Sequence, residues 1–278
     1  MTYDATGKVS LEHIYTGADP RSYFRTLREL DYCIPQLAKP WFQQIFRAYE
    51  ASHSRPVTQV IDLGCSYGIN AALLRCDTTL DELYDRYAGE LAAELPREAL
   101  LERDLELVRE RNIMPQVRFV GLDVSLPAIE YAVEAGFLDT AIQADMERHN
   151  LDQDLRRRLS RSQVVISTGC IGYVTERTLT RIVRAHGDQR PWMAHCVLRM
   201  FPFEPIEHAL SSLGYETQSF GPLLKQRRFV SPLEQSQIVG RLEDLRIDPS
   251  GLEADGWLYA QLHVSRPRGT TLELTEPS

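Results

Sequence analysis

Lysine is almost missing from this chain of 278 residues. Only Lys8, Lys39 and Lys225 are present, so arginine carries nearly all the positive charge. Cations as a whole are short, 31 against 39 acids, for a net charge of −8. Such a balance excludes tight sequence-independent nucleic-acid binding, which needs a basic surface. The run Arg156-Arg157-Arg158 with Arg161 is a local exception, expected to close a helix. Cysteine is sparse too: Cys33, Cys65, Cys76, Cys170 and Cys196 form no C-x-x-C pair. That spacing argues against a disulfide frame or a zinc site, and for reduced thiols in the cytoplasm. Cys65 and Cys170 read as small packing residues. No HExxH or EF-hand pattern occurs, so no metal is expected. No segment approaches the roughly 20 apolar residues of a membrane span. Residues 1–20 contain no apolar stretch, and no secretory signal is expected.

What is present is an ordinary globular balance, 43% hydrophobic and 25% charged, enough for one elaborated domain. Its most informative stretch is Val60-Ile61-Asp62-Leu63-Gly64-Cys65-Ser66-Tyr67-Gly68-Ile69-Asn70. An apolar run ends in an acid, then small residues lead into the apolar segment Ala71 to Leu74. A strand that meets a helix through small residues lets the backbone approach a ligand closely. G-x-S-x-G also describes the nucleophile elbow of α/β-hydrolases, with Ser66 as nucleophile. Against that stand the acid at Asp62, the early position in the chain, and the lack of a histidine in a late loop. His195 and His263 fall inside strand-like runs and read as buried structural residues.

Further strand-like runs follow, each ending in polar or small residues. Val117 to Asp123 ends in an acid placed to bind ribose hydroxyls. Ser125 then reads as the N-cap and Gly136 as the C-cap of a helix. Ala141 to Met146, Val164 to Gly169 and Trp192 to Leu198 are the next three. Successive polar strand ends form the ligand edge of a doubly wound sheet.

In order and spacing these segments resemble the class I S-adenosylmethionine-dependent methyltransferases, over roughly Gln59 to Leu198. Asp62-Leu63-Gly64-Cys65-Ser66-Tyr67-Gly68 is similar to the family's acid-x-Gly-x-Gly-x-Gly motif, with Ser66 replacing the middle glycine. Gly121 to Ser125 and Ala144-Asp145-Met146 are similar to its second and its adenine-contacting motifs. The resemblance implies an α/β, Rossmann-like fold: a seven-stranded, mostly parallel sheet flanked by helices, with an N-terminal helical cap and two insertions. It implies S-adenosyl-L-methionine as cofactor. Gly64, Cys65, Ser66, Tyr67 and Gly68 would line the methionine and ribose portion, and Asp62 would hold the loop or the methionine amine. Asp123 would bind the ribose diol and Asp145 the adenine amino group, with Val124 and Met146 flanking the ring. Thr168 and Gly169 would lie beside the methionine part. An ordinary surface acid is the other reading of Asp145.

Residues 1–56 read as the cap, 57–267 as the cofactor domain and 268–278 as a loose tail. Asp19 and Pro20 start one expected helix, to Leu30; a second is expected over Pro40 to Ala51. Trp41, Phe42 and Phe46 read as core, whereas Arg21, Tyr23 and Tyr32 read as substrate-facing cap residues. One insertion, about Cys76 to Gln116, reads as helices over Leu80 to Leu95 and Arg97 to Arg111. It is either a lid, a dimer surface or a packed elaboration. The other, about Gly221 to Asp255, contains Lys225, Arg227 and Arg228; a solvated basic stretch is favoured over contact with an acidic substrate.

The expected activity is methyl transfer to a small-molecule acceptor, without nucleic-acid or membrane partners. Oligomeric state is left open, a homodimer included. Tyr173 is the candidate catalytic residue, against a reading in which it packs at the start of the next helix. One alternative keeps the cofactor and changes the reaction, as azetidine-2-carboxylate synthases do by cyclising it with release of methylthioadenosine. Another is a non-catalytic cofactor-binding module.

Overall fold

A computed structural model describes Tyr3, Asp4 and residues 6–277. A single sheet organises them. Its strands are β1 (Gln59–Leu63), β2 (Arg118–Asp123), β3 (Thr140–Gln143), β4 (Val164–Thr168), β5 (Trp192–Leu198), β6 (Tyr215–Arg228) and β7 (Trp257–Pro267). They lie in the order β3-β2-β1-β4-β5-β7-β6. β1 to β5 are mutually parallel, and β7 runs antiparallel between β5 and β6. The α/β, Rossmann-like expectation therefore holds. All of β1 and β5 is buried, as parallel strands covered on both faces must be. The chain moves outward from β1 through β2 to β3 on one side, and from β4 to β5 on the other. β1 and β4 thus flank the switch point, the place in such a sheet where ligands bind beyond the carboxyl ends of the strands.

Around the sheet stand α1 (Arg21–Glu29), α2 (Ile34–His53), α3 (Ile69–Arg75), α4 (Leu80–Ala88), α5 (Glu90–Glu94) and α6 (Arg97–Arg111). Then come α7 (Leu126–Glu134), α8 (Gln153–Leu159), α9 (Glu176–Ala185), α10 (Glu204–Ser212) and α11 (Pro232–Asp244). α2 lies in the main core, its Trp41, Phe42, Ile45 and Phe46 packed with strand residues. A second core joins α1 to the 76–116 region through Phe24, Leu27, Leu83, Tyr87, Leu100 and Tyr131. At its centre buried Asp104 accepts hydrogen bonds from the Tyr87 and Tyr131 hydroxyls, each 2.7 Å.

Several boundaries differ from expectation. α1 begins at Arg21 with Pro20 at the cap position, and Asp19 accepts from the Arg21 N–H at 3.1 Å. α2 starts at Ile34 and runs straight through Pro40. Proline there removes one backbone bond, at a cost of about 3 kcal/mol. Burial of Ile34, Ala38, Trp41 and Phe42 on either side outweighs it. The expected helix over Leu80 to Leu95 is broken at Gly89, whose ψ of 157° is extended. Leu80, Leu83, Tyr84 and Tyr87 are buried, but Leu91, past the break, is 83% exposed. β6 continues through Gly221 to Arg228, where a loop insertion was expected, by shifting register at Phe220/Leu224 and Lys225/Arg227. β3 ends at Gln143, so Asp145 and Met146 lie in the turn beyond it. The segment after Arg266 is held rather than loose: Gln44 exchanges hydrogen bonds with the Thr275 backbone at 2.9 and 3.0 Å.

Candidate functional site

The loop from β1 to α3 takes its shape from three residues with positive φ: Gly64 (67°), Ser66 (48°) and Gly68 (76°). A β-carbon on Gly64 would fall 2.6 Å from the β-carbon of Cys170, in the loop after β4. Glycine is needed here so that the two loops can touch. Cys65 is buried, and burial pushes its thiol up. Asp62, at the strand end, is wholly buried. Its Oδ1 accepts from Asn70 Nδ2 at 2.9 Å, while its Oδ2 meets no donor among the described residues. Burial is the main reason its carboxyl is pushed up to about 7; the Asn70 bond opposes the shift and the nearby Asp123 charge adds to it.

Asp123 ties the ends of β1 and β2 together. Its Oδ2 accepts from the Ser66 N–H and its Oδ1 from the Ser125 N–H, both at 2.9 Å. A carboxylate has about four lone-pair directions, so two remain. Ser66 Oγ is buried with no hydrogen-bond partner among the described residues, and no histidine bonds to it. His195, the buried histidine of β5, bonds instead to Ser167 at 2.8 Å, and its pKa is lowered to about 3, first by burial. Thr168 at the end of β4 shares hydrogen bonds with Asn70, at 3.1 and 3.3 Å. Asp62, Asn70 and Thr168 thus form one polar chain across the switch point.

An aromatic roof covers this edge. The hydroxyl of Tyr67 donates to the carbonyls of Ile14 (3.3 Å) and Gly17 (3.0 Å), and Ser125 Oγ donates to that of Tyr15. Residues 14–17 are thereby laid over the β1 and β2 loops. Tyr23 packs edge-on against Tyr15, Tyr32 and Tyr67, with ring centroids 5.6, 6.5 and 5.7 Å away. Burial raises the Tyr32 hydroxyl well above the usual phenol range. Of the three cap residues, Tyr23 and Tyr32 come to the edge. Arg21 does not: its guanidinium is spent on Asp19 and on the carbonyls of Ala92 (3.0 Å) and Leu95 (2.9 Å).

The other predicted residues are more dispersed. Asp145 Oδ1 caps its own turn, accepting from the N–H groups of Glu147 (3.0 Å) and Arg148 (3.2 Å). Met146 is buried in the main core, whereas Val124 is 63% exposed. Tyr173 lies in the turn before α9; its hydroxyl donates to Asp4, Lys8 Nζ stands 5.4 Å from its ring centroid, and Phe201 packs edge-on at 6.2 Å. Arg227 is neither solvated nor free for an acidic substrate. It is buried and pairs with buried Glu234 at 2.7 Å, and Glu234 Oε1 also accepts from the Val9 N–H at 2.9 Å. Arg228 pairs with Asp31 at 2.5 Å on the surface.

Sequence reasoning missed Asn70, Tyr15 and Gln226. Asn70 left one signal, a lone amide in an otherwise apolar run. Tyr15 and Gln226 left none, because only the tertiary fold brings them to the edge.

The fold and this edge define a Rossmann-like α/β protein whose switch point is lined by Asp62, Asn70, Asp123 and Thr168. No family model and no curated protein matches the sequence. Among solved structures it is similar to the plantazolicin methyltransferase BpumL, in complex with a monoazolic desmethylPZN analog and SAH. Identity is 13% and the TM-score 0.45, over 92% of this chain and 90% of that one. It is also similar to a TehB-like SAM-dependent methyltransferase from Corynebacterium glutamicum ATCC 13032 Kitasato, at 14% identity and TM-score 0.38, over 81% and 94% of the two chains. A SAM-dependent methyltransferase from Geobacter sulfurreducens, in complex with S-adenosyl-L-homocysteine, matches at 14% identity and TM-score 0.40, over 90% and 99%. Among the described residues no helix is long and apolar enough to cross a membrane, and no three His, Cys, Asp or Glu converge as metal ligands.

Proposed function

We propose that this chain binds S-adenosylmethionine at the switch point and transfers its methyl group to a small-molecule acceptor. The observation that carries the reading is the set of unpartnered acceptors there: Asp62 Oδ2 and Ser66 Oγ are buried with no donor. Asp123 adds a carboxylate oriented by two backbone N–H groups and still able to accept. A ligand with an ammonium group and a ribose diol satisfies these groups. When bound, S-adenosylmethionine supplies an activated methyl group and its own leaving group. The chain's residues then act by holding and enclosing. Asp123 takes the ribose hydroxyls, and Asp62 the amine. Asp145 Oδ2 stands 3.5 Å from Arg148 Nε, an exposed ion pair that the adenine amino group would share or displace. Tyr15, Tyr23, Tyr32 and Tyr67 exclude water and turn aromatic surface to a cation.

A second reading has its own observation. The roof sits directly on the loop after β4: the Gln226 side chain abuts Gly169. So close a roof favours chemistry within one ligand, the amine closing on its own γ-carbon with loss of a proton and of methylthioadenosine. The by-product decides. The protein is incubated with S-adenosylmethionine, alone and with a small-molecule cell extract. S-adenosylhomocysteine formed only with extract supports methyl transfer. Methylthioadenosine formed without extract supports cyclisation. Binding without either product leaves a non-catalytic module, and absence of binding overturns the proposal.

A further inference from the structure

Gln226 belongs to neither the glycine loop nor the strand ends that carry the site. It lies on the far strand β6, as the residue skipped by the register shift between Lys225 and Arg227. That irregular stretch brings it back over the sheet edge. Its carbonyl accepts from the Cys33 N–H at 2.8 Å, so its backbone is fixed beside Tyr32. Its side chain points at the loop after β4. A β-carbon on Gly169 would fall 2.6 Å from Gln226 Nε2, and Gly169 has a φ of 100°. The residue is 4% exposed, yet Oε1 has no hydrogen-bond partner among the described residues.

A buried amide oxygen without a donor costs on the order of 1–3 kcal/mol, so such groups are paired with something. The neighbourhood limits what that is. Gly169 and Thr168 stand on one side and Tyr32 on the other, where the proposed function puts the amino-acid end of the cofactor. That end carries one N–H-bearing group, the amine; the carboxylate offers only acceptors. We infer that the Gln226 side chain is a cofactor-reading residue whose amide oxygen accepts from the methionine amine, sharing that amine with Asp62. The inference rests on the proposal that S-adenosylmethionine binds here. A neutral acceptor beside a carboxylate holds the amine in one direction without adding charge.

A binding cycle tests it without turnover. Calorimetry measures S-adenosylhomocysteine, its desamino analogue and its decarboxylated analogue against the wild type, Gln226→Leu and Asp62→Asn. Wild type should bind the desamino analogue at least about tenfold more weakly than S-adenosylhomocysteine. Gln226→Leu should weaken S-adenosylhomocysteine by about tenfold and the desamino analogue hardly at all, so that the discrimination shrinks. The decarboxylated analogue should lose affinity in Gln226→Leu as S-adenosylhomocysteine does. If discrimination against the desamino analogue survives in Gln226→Leu and vanishes only in Asp62→Asn, the inference is wrong and the proposed function stands. If the loss tracks the carboxylate instead, Nε2 faces the ligand and the inference is again wrong. Failure of the wild type to bind S-adenosylhomocysteine removes both. Should Gln226→Leu not fold, the near-isosteric Gln226→Glu carries the test: it must retain amine discrimination, and its loss there counts against the inference.

Discussion

Asp123 and Asp62 are both strand-end acids, yet their surroundings give them different tasks. Asp123 is held by two N–H groups. Asp123→Ala should weaken S-adenosylmethionine binding by about ten- to a hundredfold in calorimetry, since a charge-assisted hydrogen bond contributes about 1.5–3 kcal/mol. Unchanged affinity would misassign the ribose acid. Asp62 carries a pH dependence. Its folded pKa, about 7, lies well above the ordinary aspartate value of about 3.9. Between those values the unfolded chain has released the proton and the folded chain has kept it, so stability falls as pH rises through that window and levels off above it. Asp62→Asn should remove this contribution. Thermal melts of the variant should gain on wild type from pH 4 to pH 7, and a constant gap across that range rejects the assignment. Ser66, whose hydroxyl bonds to no histidine or carboxylate among the described residues, should resist a fluorophosphonate probe, and Ser66→Ala should retain most activity; covalent labelling would revive the hydrolase chemistry. The two acids were legible because each closes an apolar run. Gln226 and Tyr15 were not: each reaches the edge through contacts made across more than 100 residues or through backbone carbonyls, for which no local pattern exists.

Among elements, the loops after β1 and β4 behave as one packed unit. Gly64 meets Cys170 where a β-carbon has no room. Gly64→Ala should therefore destabilise the protein by about 1–3 kcal/mol through overpacking. The double variant Gly64→Ala/Cys170→Gly should recover part of the loss in a urea melt, and no recovery would mean that the positive φ dominates. The sheet was legible from its buried runs and small-residue ends. The helices over 34–53 and 80–94 were misjudged for complementary reasons. Apolar packing carried α2 through Pro40, whereas Gly89, with no side chain to commit to a helix, let the chain turn and freed Leu91 from the core. β6 was cut short because its register shifts break the alternation by which a strand is recognised.

On the scale of the whole molecule, the N-terminal segment is strapped across the site from several sides. Asp4 accepts from Tyr173, Val9 donates to Glu234, and Tyr15 accepts from Ser125. Tyr173→Phe should release the Asp4 end and speed hydrogen exchange at residues 6–9, with a small change in melting temperature. If exchange there is unchanged while turnover falls, Tyr173 acts in the chemistry instead. Glu234→Ala leaves Arg227 buried and unpaired, which should cost about 3–5 kcal/mol. Lys8, buried beside Arg227 with its pKa lowered to about 8 by that burial first, would feel the same loss. Stability equal to wild type in a denaturant melt would show that water reaches the pair.

The roof also sets an order of events in synthesis. Strands β1 to β5 complete the floor of the crevice by Leu198, whereas Gln226, Arg227 and Glu234 leave the ribosome later and must then capture residues that emerged among the first. Pairings so distant along the chain form slowly, after local ones. The roof over the switch point is therefore finished only after β6 has joined the sheet.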